Sequence, residues 1–183
     1  MTGFPFTRGT HRLAPGTYAY LQPRGSWGQS NAGLIVDGER SLLVDTLYDR
    51  RHTAAMLAAL REVEPAVAAV DWVVNTRANG DHCWGNELVR GARIVASRAC
   101  AEEMRDLPPH RLALLMRVAR ALAALGPVGR GVGALCDGLG LARAGALLAA
   151  APYVVRAFGE FDFRGIELVL PTETFSGELE LRV

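Results

Sequence analysis

The chain has 183 residues, 50% of them hydrophobic and 21% charged, with a formal net charge of +1. That length suits one domain with a real core, and the balance is that of a soluble globular protein. A nearly neutral chain without a basic block gives no electrostatic reason to expect nucleic acid or an anionic membrane as partner.

All 20 basic residues are Arg, so no lysine is present to form a Schiff base or act as a general base. Cys83, Cys100 and Cys136 are odd in number and contain no CxxC pair, which argues against a disulfide framework or a structural zinc knuckle. A reducing cytosol is the expected compartment. Pro5, Arg8, His11 and Arg12 occupy the place of an apolar leader, so no secretory signal is expected. The most apolar stretch, Ala134 to Val155, is interrupted by Asp137, Arg143 and Pro152, which argues against a membrane span.

In chain order, residues 1–15 are rich in Gly, Pro and Arg and read as an irregular lead-in. Thr17 to Gln22 carries the β-branched and aromatic residues of a strand. The RGSWGQS stretch after Pro23 reads as a loop. Asn31–Val36 and Ser41–Asp45 flank Asp37-Gly38-Glu39-Arg40, and an Asp-Gly pair between two β-rich runs predicts a hairpin. His52, Ala55, Met56, Ala59, Leu60 and Val63 recur at the spacing of one helical face, with Pro65 just beyond.

Val70 to Asn75 reads as a buried strand. A loop from Thr76 to Trp84 leads to a short helix around Asn86–Val89. Arg93–Ser97 is a further strand, and Cys100–Arg105 a helical stretch. Beyond Pro108-Pro109, Leu112, Leu115, Met116, Ala119, Leu122 and Ala123 keep helical spacing. The Gly-rich GPVGRGVG segment is expected to separate this helix from a second one near Leu139–Ala150. Phe161–Leu170 reads as a turn and short strand, and Glu178–Val183 as the opening of another. The order predicts an α/β (α+β) domain, a mixed sheet with helices packed on it.

The segment richest in chemistry is Asn75-Thr76-Arg77-Ala78-Asn79-Gly80-Asp81-His82-Cys83-Trp84-Gly85-Asn86. It follows a buried strand and precedes a helix, where side chains project into a crevice. Its frame, Arg77-x-Asn79-x-Asp81-His82, is similar to the HxHxDH motif of the metallo-β-lactamase superfamily. SNAGLIVDGERSLLVDTLYD and the following helix also resemble that family's opening strands and helix. The resemblance covers roughly residues 16–105, and PTETFSGELELRV at the end is similar to the segment that opens the family's second half.

The resemblance implies a single metallo-β-lactamase-like αββα sandwich over 1–183. It would be truncated, with one mixed sheet present, the second sheet largely missing, and a helical insert at about 108–152. In the family, imidazoles and carboxylates at this spacing converge on zinc at about 2.0–2.2 Å. The metal lowers the pKa of its bound water toward ~7 for hydrolysis of an ester, thioester, lactone or lactam. Carried over by position, Arg77 and Asn79 stand where two histidines should be. A guanidinium cannot ligate a cation and repels one, and an amide oxygen is a weak ligand for zinc. Asp81 and His82 remain as the candidate metal ligands, Asp81 also as the candidate catalytic residue. His11, His52 and His110 lie in no ligand frame.

Two functions follow as expectations. One is a zinc-dependent hydrolase of a small molecule, weak or inactive as this chain alone. The other is a truncated or degenerate homologue, catalytically inactive, that acts as a binding or interaction module, or a gene fragment without function; zinc is then not expected. Several residues keep a plainer reading beside the chemical one. Arg77 could pair with Asp81 in a loop that needs no metal. Cys83 is a nucleophile, a ligand or a small buried hydrophobe. Asp45 either supports the motif loop or caps a turn. A sheet covered on one face exposes apolar surface, so self-association into a homo-oligomer is expected unless the helices of the insert cover that face.

Overall fold

A computed structural model describes residues 6–23, 27–65, 70–140 and 142–183. They fall into two compact units, residues 110–164 and the remainder. The expected loop at 24–30 and the irregular lead-in both lie partly outside the described residues.

The larger unit is built on a seven-stranded mixed sheet in sequential order. Strands β1 (Gly9–Ala14), β2 (Thr17–Leu21), β3 (Ala32–Asp37) and β4 (Arg40–Val44) form an antiparallel meander. From β4 onward, β5 (Trp72–Val74), β6 (Arg93–Ser97) and β7 (Glu173–Phe175) add in parallel. Parallel strands need a crossover, and helix α1 (Arg50–Val63) supplies the one between β4 and β5.

Register brings Tyr18, Leu34, Leu43, Val73 and Ile94 into one row across five strands. Cross-strand partners share a face, and this row packs with Met56, Leu57 and Leu60 of α1 in the main core. Leu34, Leu43, Val73, Met56 and Leu60 are fully buried. Asp49 caps α1 by accepting a 2.7 Å bond from the His52 amide, which satisfies one of the orphan donors at a helix start. Helix α3 (Arg98–Asp106) follows β6, capped by Ser97.

The smaller unit is helical. Helix α4 (Pro109–Ala124) leads into α5 (Gly126–Gly138) and α6 (Ala142–Phe158), which pack together. No helix among the described residues is long and apolar enough to cross a membrane.

Several expectations need correction. Residues 9–14 form a strand, not an irregular lead-in. Pro15-Gly16 is the turn that folds β1 onto β2, pairing Ala14 with Thr17. Gly16 has φ +66°, as the third residue of a type II turn requires. The buried face of α1 is Thr53, Met56, Leu57 and Leu60, and Val63 is exposed. The Ala55 and Ala59 that supported the other face are too small to define one.

The Gly-rich stretch is helix α5 rather than a separator. Each glycine costs about 1 kcal/mol against Ala, and packing against α6 offsets that. Helix α6 runs past Ala150 and through Pro152, with Ala151 and Ala157 buried on either side of the proline. Neither Phe161–Leu170 nor Glu178–Val183 is a strand. The β6 edge is occupied instead by Glu173–Phe175, where Thr172 also bonds the Ile94 amide at 3.0 Å. An alternating sequence becomes a strand only where a neighbour takes its backbone bonds.

Candidate active site

The motif segment starts where β5 ends, runs through residues 75–79 without regular structure, and then forms a four-residue helix, α2 (Gly80–Cys83), and a 3₁₀ turn at Asn86–Val89. Its backbone is held by the ends of neighbouring strands. The His82 carbonyl accepts from the Thr46 amide at 2.9 Å and from the Asn75 side-chain amide at 2.9 Å. Thr46 Oγ1 divides its one hydrogen between that carbonyl at 3.3 Å and Asn86 Oδ1 at 3.2 Å. Asn75 and Asn86 bond each other in both directions, at 3.2 and 2.8 Å. Asn86 also donates to the Val169 carbonyl at 3.1 Å. Ser30 donates to the Asp81 carbonyl.

Close approach adds to this. A Cβ on Gly85 would fall 2.1 Å from Thr53 Oγ1 of α1, so only glycine lets the loop pass that helix.

Asp45 sits at the end of β4 with a φ of 63°, the left-handed region that non-glycine residues seldom enter. Its side chain is buried and accepts three bonds. These come from the Thr76 amide at 2.7 Å, the Thr76 hydroxyl at 2.6 Å, and His82 Nδ1 at 2.8 Å. Of the two readings open for Asp45, the structure therefore gives loop support. With Nδ1 engaged, Nε2 is the ring nitrogen turned to chemistry, and it lies 3.5 Å from Asp81 Oδ2. Asp81 and His82 are thus brought together, each partly exposed.

The Arg77–Asp81 pair does not form. Arg77 is exposed and has no ion pair among the described residues, because Asp81 faces His82 across the first turn of α2. Asn79, also exposed, is the residue before that helix. Cys83 is fully buried, and burial pushes its thiol well above the usual range. It donates to the Ala78 carbonyl at 3.3 Å, the behaviour of a small buried hydrophobe and not of a nucleophile. Tyr48 was not singled out from sequence. Its ring stacks on Trp84 at 5.1 Å, and burial, then the charge of Asp81, raise its phenol to about 12.

The model of the metallo-beta-lactamase superfamily matches residues 25–175. The chain belongs to that superfamily. Among solved superfamily structures, a metallo beta lactamase from Hirschia baltica is 21% identical, with a TM-score of 0.43. That match covers 51% of this chain and 44% of the other. The metallo-beta-lactamase FIM-1 from Pseudomonas aeruginosa, in its mono-zinc form, is 23% identical with a TM-score of 0.41. Here the match covers 54% of this chain and 46% of the other. The chain spans less than half the length of either protein.

Zinc is the cofactor this superfamily implies, and the donor set present does not fit it. A catalytic zinc takes three protein ligands. Among the described residues no group of three or more His, Cys, Asp or Glu could hold a metal ion. Asp45 is no third donor, because both of its oxygens are engaged with Thr76 and His82.

Proposed function

We propose that this chain is a hydrolase-like member of the superfamily whose own residues hold only a two-donor half-site, Asp81 and His82. Hydrolysis of an ester, thioester, lactone or lactam by zinc-activated water is then weak or absent in these 183 residues alone. The observation that carries this is the donor count, two partly exposed groups flanked by Arg77 and Asn79. A fixed guanidinium charge beside them opposes a cation further.

A second reading, a non-catalytic binding module, draws support from the loop itself. Asp45, Thr46, Asn75 and Asn86 hold the segment by hydrogen bonds among protein groups. A loop organised in this way needs no metal to keep its shape.

One experiment addresses both. Zinc content after dialysis is measured alongside hydrolysis of a generic ester, a thioester, a lactone and a lactam. Substoichiometric zinc and rates at the uncatalysed background are expected. A chelator-sensitive rate with one tightly bound zinc per chain would overturn the proposal.

A further inference from the structure

The helical unit contains a groove of its own, about 410 Å³ in volume and lined entirely by residues of that unit. This lies within the size range of small-molecule pockets, roughly 300–1,000 Å³. Its walls separate into two chemistries. Met116, Phe161 and Phe163 are buried apolar side chains, and the two rings lie 5.8 Å apart. The rim carries Arg117, Arg120 and Arg164.

These three cations are not equally engaged. Arg164 makes a two-bond fork to Asp162 at 2.8 and 2.7 Å. Arg120 donates to the Gly159 carbonyl at 3.2 Å. Arg117 has no bond to another described residue. It stands three positions before Arg120 on α4, so the two share a helical face. The lining thus carries three guanidinium groups against one carboxylate, Asp162, a net charge of about +2.

We infer that this groove binds an organic carboxylate with an apolar body. The body lies along Met116, Phe161 and Phe163, and the carboxylate is received by Arg117 with Arg120 beside it. The guanidinium fork matches a carboxylate in shape and charge. The apolar walls reject a small hydrated anion, which has nothing to bury there. The groove draws no lining residue from the motif loop and does not rest on the proposal made for that loop.

The test is calorimetric titration of the full chain in the presence of chelator, using sub-micellar decanoate, decanol and acetate as probes. Decanoate is expected to bind once per chain. Decanol should be at least tenfold weaker, and acetate should not bind. Arg117→Gln should weaken decanoate about tenfold and leave decanol unchanged. The Met116 methyl resonance should shift with decanoate. Arg117→Lys, which keeps the charge but loses the fork, should fall between. Equal binding of decanol and decanoate would overturn the inference. So would undiminished decanoate binding by a folded Arg117→Gln chain, or shifts that bypass Met116.

Discussion

Asp45 Oδ2 and His82 Nδ1 lie 2.8 Å apart across 37 residues of sequence, joining the end of β4 to helix α2. The contact depends on a backbone turn at Asp45 into the left-handed region, φ 63°, a conformation costing about 1–3 kcal/mol when surrounding contacts impose it. The carboxylate bonds to Thr76 and His82 are those contacts. Asp45→Ala leaves the Thr76 amide without its acceptor, frees the imidazole and removes the contacts that hold the left-handed turn, so a loss of about 2–3 kcal/mol is expected. Asp45→Asn keeps one acceptor oxygen and a residue type tolerant of that φ, and should lose about half as much. Urea unfolding of the two variants checks this. A loss below 1 kcal/mol for Asp45→Ala would show that the carboxylate does not hold the loop.

The buried amide pair makes a separate prediction. Asn86 is fully buried and bonds Thr46, Asn75 and Val169. Asn86→Ala strands several of those partners away from water and should destabilise the larger unit by about 3 kcal/mol. Amide hydrogen exchange in residues 75–86 should rise with it. If stability falls while exchange in the loop stays as slow as before, the pair is supporting something other than the loop.

What was legible in the sequence follows from where the information sits. The β3–β4 hairpin declared itself through Asp37-Gly38, and β5 and β6 through short apolar runs, because local chemistry decides those elements. The family was readable from the Arg77-x-Asn79-x-Asp81-His82 frame taken with the opening strands and helix around it, and not from that frame alone. The partners of the loop were not. Asn86 meets Val169 across 83 residues, and no local pattern specifies a contact that distant. Strand β1 was missed because an edge strand with half-buried and exposed positions shows no alternation. Helix α5 was missed because its glycines contradict it locally, and only packing against α6 overrules them.

Thiol chemistry should separate the three cysteines. Burial pushes Cys83 well up and Cys100 to about 11, from an ordinary 9.0. In the native state a thiol reagent at pH 8 should label the half-buried Cys136 and spare the other two until the chain unfolds. The sign of the pH effect follows from linkage. Between pH 9 and about 11 the unfolded chain has lost the Cys100 proton while the folded chain retains it. Stability is therefore undiminished below pH 9 and declines above it. Tyr48, raised to about 12, extends the decline. Cys100→Ala should flatten part of the slope. A stability flat from pH 8 to 10.5 would contradict the upward shift of Cys100.

The donor count can be changed directly. Arg77 and Asn79 are exposed on either side of the buried Ala78, so alternation along this extended stretch sends both side chains the same way. Arg77→His with Asn79→His removes the repelling guanidinium and adds two imidazoles to Asp81 and His82, enough in number for a tetrahedral zinc. Zinc affinity measured by calorimetry should rise at least tenfold over the unaltered chain. Adding His82→Ala to the double variant should cancel the gain. Hydrolysis should not follow, because four protein donors close the site and leave no open position for water. If the double variant binds zinc no better than the parent, residues 77 and 79 do not face Asp81 and His82, and the loss of the metal site has a cause other than these two substitutions.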